Sequence, residues 1–237
     1  MFGSCILFSL VELRDGHAGV KELFIMRHGE TEWNVAGRMQ GRLDSALTEQ
    51  GRNQADLNGG LVKALGGVDV LLVSPSGRTR ETAYIVNSHT QVRMEFFEEL
   101  MERDCGLWSG MAVTDVEARF PQAWAERELD AFNFRPPEGE NLSDMLHRAR
   151  GFLEELYVSK HESVGLVTHG VMSKVILNFF LSLSEAETVK VRHPNELVYR
   201  LTFNTNHVET HYFLEGGEAN TGLLMHRQDP VQHPSSR

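Results

Sequence analysis

Three short apolar runs, "KELFIMR" (21–27), "VDVLLVS" (68–74) and "SVGLVT" (163–168), break off at polar residues with helical patterns between and after them. Runs of this length fit strands buried on both faces, and such strands lie parallel only if the chain returns through a crossover helix. The crossovers are legible. From Thr48, an N-cap with Glu49 and Gln50 in the first turn, Leu57, Leu61 and Leu65 recur every four residues until Gly66 and Gly67. "RTRETAYIV" (78–86) follows the turn 74–77 as a second helix. Leu142, Met145, Leu146, Ala149, Phe152, Leu153 and Leu156 share one helical face, and Val171, Val175, Ile176, Phe179 and Phe180 mark a helix directly after the third run. Alternation of this kind predicts an α/β layer fold with a mainly parallel sheet.

Two regions depart from the alternation. Residues 97–140 carry only short helical patterns, near 113–120 and 122–129, and read as an insertion across one edge of the core. "ELVYRLTFN" and "HVETHYFLE" read as a hairpin that extends the sheet, with an edge available for a homodimer. Residues 1–20 precede the regular pattern as an N-terminal extension, and 215–237 lack periodicity and read as a flexible tail. The 237 residues suit one domain, 21–214, with the insertion inside it.

Charge and cysteines narrow the partners. A formal charge of −10 repels nucleic acid and anionic membrane surfaces, so an anionic ligand must be held by a local cluster. No run approaches the roughly 18 apolar residues of a membrane span. The start "MFGSCILFSLVELRDG" lacks the basic segment and cleavage site of a secretory signal. Cys5 and Cys105 are too few for a disulfide framework, and a cytoplasmic setting is expected.

The local cluster lies where the strands end. Arg27 and His28 end the first run, Arg78 follows the turn after the second, and His169 ends the third. Ligands of parallel sheets bind outside the carboxyl ends of the strands, so two arginines and two histidines should converge there. Guanidinium forks match phosphate oxygens, which points to a phosphoryl group. His28 could bind that group or attack it. Neighbouring arginines should hold its pKa below the usual value near 6.5, as a nucleophile requires. "EELMERD" offers Glu98, Glu99, Glu102 and Asp104 as carboxylates, while Arg38 and Arg42 either line the entrance or solvate the loop. Despite 11 histidines there is no H-E-x-x-H metal motif, and neither G-x-S-x-G nor a phosphate-binding P-loop lysine motif occurs.

In order, "RHGET", "GRMQGRLDSALTEQGRNQA", "SPSGRTRETA", "MERDCGLWSG", "PPEGENL" and "VTHG" resemble the histidine phosphatase superfamily over roughly residues 21–205. The resemblance implies a phosphoglycerate mutase-like, three-layer α/β/α sandwich with a helical insertion. It implies that His28 is the nucleophile, that Arg27, Arg78 and His169 clamp the phosphoryl oxygens, and that Glu102 donates the proton to the leaving group. Asn34, Gln40 and Gly41 match positions around the phosphate or substrate entrance. The implied substrate is a small phosphorylated metabolite, hydrolysed with neither metal nor cofactor. Mutases of the family grip their substrate with a tyrosine and a lysine where this chain has Cys105 and Val113, and "WAERELDAFNF" lacks their paired arginines. Hydrolysis is therefore expected over mutase activity, with a non-catalytic phospho-ligand-binding module as a third reading. Ser109 and Val171 also depart from the W-E-G and T-H-G-G of many family phosphatases.

Overall fold

The computed structural model describes residues 19–205 and 207–226. Its strands are β1 (Glu22–Arg27), β2 (Val70–Val73), β3 (Arg93–Phe96), β4 (Ser163–Thr168), β5 (Leu197–Phe203), β6 (Val208–Leu214) and β7 (Asn220–Thr221). Its α-helices are α1 (Glu32–Val35), α2 (Glu49–Ala64), α3 (Gly77–Thr90), α4 (Val113–Arg119), α5 (Pro121–Leu129), α6 (Leu142–Tyr157), α7 (Gly170–Leu181) and α8 (Glu185–Lys190). Residues 1–18 of the expected extension and 227–237 of the expected tail lie outside the described residues.

One sheet runs β3-β2-β4-β1-β5-β6-β7, parallel from β3 to β1 and antiparallel beyond. Arg27 pairs with Thr168 and Val73 with Val167, so β1, β2 and β4 end level with one another. Alternate residues of each strand face opposite ways. Leu23, Ile25, Leu72, Leu166 and Tyr199 pack under α6 and α7 through Met145, Leu153 and Ile176. On the other face Phe24, Met26, Leu71 and Val167 meet Val62 of α2 with Ala83 and Val86 of α3. Burial on both faces explains the near-continuous apolar runs. Each such side chain contributes about 1.5–3 kcal/mol.

The expected face of α2 is corrected at Leu57, while Leu61 and Leu65 pack partly against the core. Leu57 is 49% exposed, and the buried face is Gly51, Gln54, Ala55, Asn58, Gly59 and Val62. The cause is close packing: a Cβ on Gly59 would stand 2.9 Å from the Cα of Val86 in α3. The polar members hold loops: Gln54 Oε1 accepts from the Glu30 amide at 2.9 Å, and Asn58 Nδ2 donates to the Asn195 carbonyl at 3.3 Å.

The same helix presses on the segment after His28. A Cβ on Gly51 would meet the Glu30 carbonyl oxygen at 2.1 Å, and one on Gly29 would meet the Gly51 oxygen at 2.1 Å. Both obstacles are backbone, so neither can swing aside. Gly51→Ala should lower stability by about 1–3 kcal/mol, read as a fall in the urea midpoint at unchanged slope.

Four of these elements escaped the sequence reading, the first being α1, four residues capped by Thr31. β3 is a four-residue edge strand carrying Arg93 and Glu95, and β7 has two residues. The short α8 announces itself only by its capping box, Ser184 with Glu187. The expectation of a loose tail is corrected for 215–226: β7 pairs with β6, Met225 bridges to Val191, and the His226 amide donates to the Lys190 carbonyl at 2.8 Å. Leu223, Leu224 and Met225 pack on the main core, which gives the segment its anchor.

Candidate active site

The β1–β4 ladder continues one residue past β1, because the His28 amide donates to the Thr168 carbonyl at 2.9 Å. The ring that follows is only 2% exposed. Its Nδ1 lies 2.8 Å from the Gly29 carbonyl. A carbonyl only accepts, so Nδ1 carries the proton and Nε2 keeps its lone pair. Burial first, then the charges of Arg27 and Arg78, hold the His28 pKa well below its ordinary value.

Arg78 sits in the first turn of α3 and is buried. Its guanidinium donates to the Leu43 carbonyl at 2.6 Å, the Gly41 carbonyl at 2.9 Å and Asp44 Oδ1 at 3.1 Å. A further donation, at 3.1 Å, goes to His169 Nδ1. Arginine only donates, so the His169 proton is on Nε2, which donates to Ser74 Oγ at 2.7 Å. The rings of His28 and His169 stand 5.4 Å apart. Arg27 donates from Nη1 to the His193 carbonyl at 2.9 Å. The buried Nε atoms of Arg27 and Arg78 have no partner among the described residues.

Glu102 arrives from the insertion. Its Oε1 accepts from the amides of Arg103 at 2.9 Å and Met172 at 3.2 Å, and its Oε2 accepts from the Val171 amide at 3.2 Å. The carboxylate thus rests on the positive end of α7. Arg148 of α6 fixes the approach by donating to the carbonyls of Glu99 at 2.7 Å and Met101 at 3.1 Å, and to Glu140 Oε1 at 3.0 Å.

Arg27, His28, Arg78 and Glu102 line a cleft of about 180 Å³, with Asn34, Gln40 and Gly41 on its wall. His169 stands behind it through Arg78. Asn34 is half committed: its Oδ1 accepts from the Thr31 amide at 3.1 Å and caps α1. Gln40 donates to Thr31 Oγ1 at 2.8 Å, and its buried Oε1 has no partner among the described residues. Gly41 holds φ +55° and offers Arg78 its carbonyl. Of the two uncertain arginines, Arg38 lines the cleft, whereas Arg42 turns to Glu140 at 3.1 Å. Sequence reasoning missed Met39 and Arg103 on the same wall and named Cys105 only as a departure from the mutases. Arg103 and Cys105 flank Glu102 within "MERDC", a proximity that could have drawn notice. Burial pushes the Cys105 thiol above its usual pKa, so it stays protonated.

Three buried histidines share one electrostatic condition. Burial is the leading cause that lowers His28, His169 and His193, the last to about 3. Below pH 6.5 the unfolded chain binds protons that the folded chain refuses. The stabilisation is therefore complete above about pH 6.5 and lost as pH falls toward the folded values. We expect a loss of about 1.4 kcal/mol per pH unit for each histidine in that window. Urea midpoints between pH 7.5 and 4.5 check this, and a flat profile would refute the buried neutral rings.

Among the described residues, no group of three or more His, Cys, Asp and Glu side chains is arranged to hold a metal ion, and no helix is long and apolar enough to cross a membrane. The family model for the histidine phosphatase superfamily (branch 1) matches residues 23–214. "Probable phosphoglycerate mutase GpmB" of Erwinia tasmaniensis is 30% identical over 88% of this chain and 95% of its own. "Phosphoserine phosphatase 1" of Hydrogenobacter thermophilus is 34% identical over 63% of this chain and 71% of its own. The structure of mycobacterial glucosyl-3-phosphoglycerate phosphatase with VO3 superposes with a TM-score of 0.70 at 25% identity, over 81% of this chain and 96% of that one.

Proposed function

This chain belongs to the histidine phosphatase superfamily (branch 1), and from that premise we propose a metal-independent phosphomonoesterase that hydrolyses a small phosphorylated metabolite through a phosphohistidine. The observation that carries the reading is the tautomer of His28: Nδ1–H is spent on the Gly29 carbonyl, leaving the Nε2 lone pair in a pocket walled by Arg27 and Arg78. Burial and both arginines keep the ring neutral, as a nucleophile must be.

In the first step Nε2 of His28 bonds to phosphorus as the bond to the alcohol oxygen breaks. Glu102 delivers a proton to that oxygen and is left as the carboxylate. Charge on the transferring group is met by Arg27 and Arg78, whose Nε donors are unspent, while His169 accepts from Arg78 at Nδ1 and so holds that guanidinium in place. In the second step the Glu102 carboxylate takes a proton from water, the water oxygen bonds to phosphorus, and the bond to Nε2 breaks. Phosphate leaves and the enzyme is restored.

Hydrolysis is favoured over mutase transfer because Cys105, a buried thiol, and Val113, which begins α4, replace groups that would hold a mutase substrate. The proposed setting is cytoplasmic. The test measures free phosphate against isomerised phosphoglycerate, with and without EDTA, and denatures the enzyme during turnover to trap acid-labile, base-stable phosphate. Isomerisation without net phosphate release, or loss of activity in EDTA, would overturn the respective part.

A further inference from the structure

A second cavity, of about 400 Å³, opens on the other side of Glu102. Arg27, Glu102 and Val171 line both this cavity and the catalytic cleft, so the two are contiguous. Its described lining sets Lys174, Arg192 and Arg27 against one carboxylate, Glu102, with His226 at the rim. In a chain of formal charge −10 this local excess of cations is unexpected. It also lacks internal compensation. Arg192 has no side-chain hydrogen bond or ion pair among the described residues, and neither does His226. Lys174 donates to the Val189 carbonyl at 3.0 Å, which commits one of its three donors to the carboxyl end of α8. His193, another lining residue, spends its Nε2–H on the Leu197 carbonyl at 2.9 Å, so its buried Nδ1, without a partner among the described residues, is a lone pair and offers an anion no donor. Burial brings the Lys174 ammonium down to about 8 despite the opposing pull of Glu102. An anion in the cavity would relieve that.

The position of Glu102 says what the cavity is for. A proton donor must touch the leaving oxygen, which lies in line with the attacking Nε2 and on the far side of phosphorus. The carbon skeleton attached to that oxygen then extends past Glu102. We propose that it enters the second cavity and that Lys174, Arg192 and His226 bind an anionic group on it, so that preferred substrates are phosphomonoesters whose alcohol carries a second negative charge. This rests on the phosphatase reading of the cleft.

The test compares 3-phosphoglycerate with glycerol 3-phosphate, which differ in a carboxylate against a hydroxymethyl group, and adds 1,3-propanediol bisphosphate. Wild-type kcat/KM should favour an anionic alcohol by about tenfold or more. That ratio should fall toward one in Lys174→Met and in Arg192→Met, the latter an exposed side chain whose loss spares the fold. The better of the two anionic substrates identifies carboxylate or phosphate as the bound group. A wild-type ratio near one, or a ratio that neither substitution moves, overturns the proposal. Turnover of p-nitrophenyl phosphate separately reports on the phosphatase reading. If no ester is turned over, calorimetric binding of 3-phosphoglycerate and glycerol 3-phosphate to the intact chain decides: tighter binding of the former, lost in Lys174→Met, supports the cavity, and equal affinities sink it.

Discussion

His28→Ala should lower kcat by about 10⁴-fold or more and abolish the trapped phosphoprotein. No neighbouring group can take over. Both nitrogens of His169 are engaged, Nδ1 with Arg78 and Nε2 with Ser74, and a cleft rich in arginine offers no other neutral base of the right kind. The substitution also removes the bond to the Gly29 carbonyl and leaves a small void beside β4, so thermal melting must confirm a folded variant before the rates are compared. Labelling equal to wild type in a folded His28→Ala protein would exclude a phosphohistidine at this position.

Glu102→Gln should show an effect that depends on the alcohol. For alkyl phosphates, whose leaving oxygen needs a proton, kcat should drop by about 10²–10⁴-fold. For p-nitrophenyl phosphate the first turnover should be far less impaired, because nitrophenolate departs unprotonated. The second step still lacks its base, so a burst of one nitrophenol per enzyme followed by slow release is the expected trace. The substitution is nearly isosteric, but an amide cannot accept at both ends from the Val171, Met172 and Arg103 amides, so some displacement of the side chain accompanies it. A loss equal across all leaving groups would mean that Glu102 only positions the start of α7 and moves no proton.

The parts of this molecule that were legible in the sequence are those whose environment is set locally. Strands buried on both faces must be apolar throughout, so β1, β2 and β4 appear as uninterrupted runs. Arg27, Arg78 and His169 could be placed because each ends such a run or follows it within a few residues. Leu57 misled for the opposite reason: four-residue spacing reports that a helix has a face, not that the face is buried. In α2 the fully covered side is glycine, alanine, Gln54, Asn58 and Val62, because at Gly59 a second helix passes too close for leucine. The wall formed by Met39, Arg103 and Cys105 was hidden for a related reason. Its course depends on Arg148 reaching across to carbonyls about 50 positions away, a contact that no local pattern encodes. The order of residues 215–226 likewise comes from partners in β6, the Tyr199 hydroxyl and the segment at 190–192.

That last segment has an evolutionary consequence. The His226 amide is tied to Lys190 and the Arg192 amide to the Leu224 carbonyl at 2.8 Å, so residues 224–226 are stitched to the rim of the second cavity. Apart from Glu102, the residues that would perform the phosphoryl chemistry come from strand ends fixed by the core, where almost any change is costly. The stitched segment holds that rim through backbone bonds and anchors itself by Leu223, Leu224 and Met225, so side-chain replacements on the rim itself leave its course unchanged. A lineage could therefore exchange one leaving group for another through the side chains at Arg192 and His226, leaving the catalytic apparatus untouched.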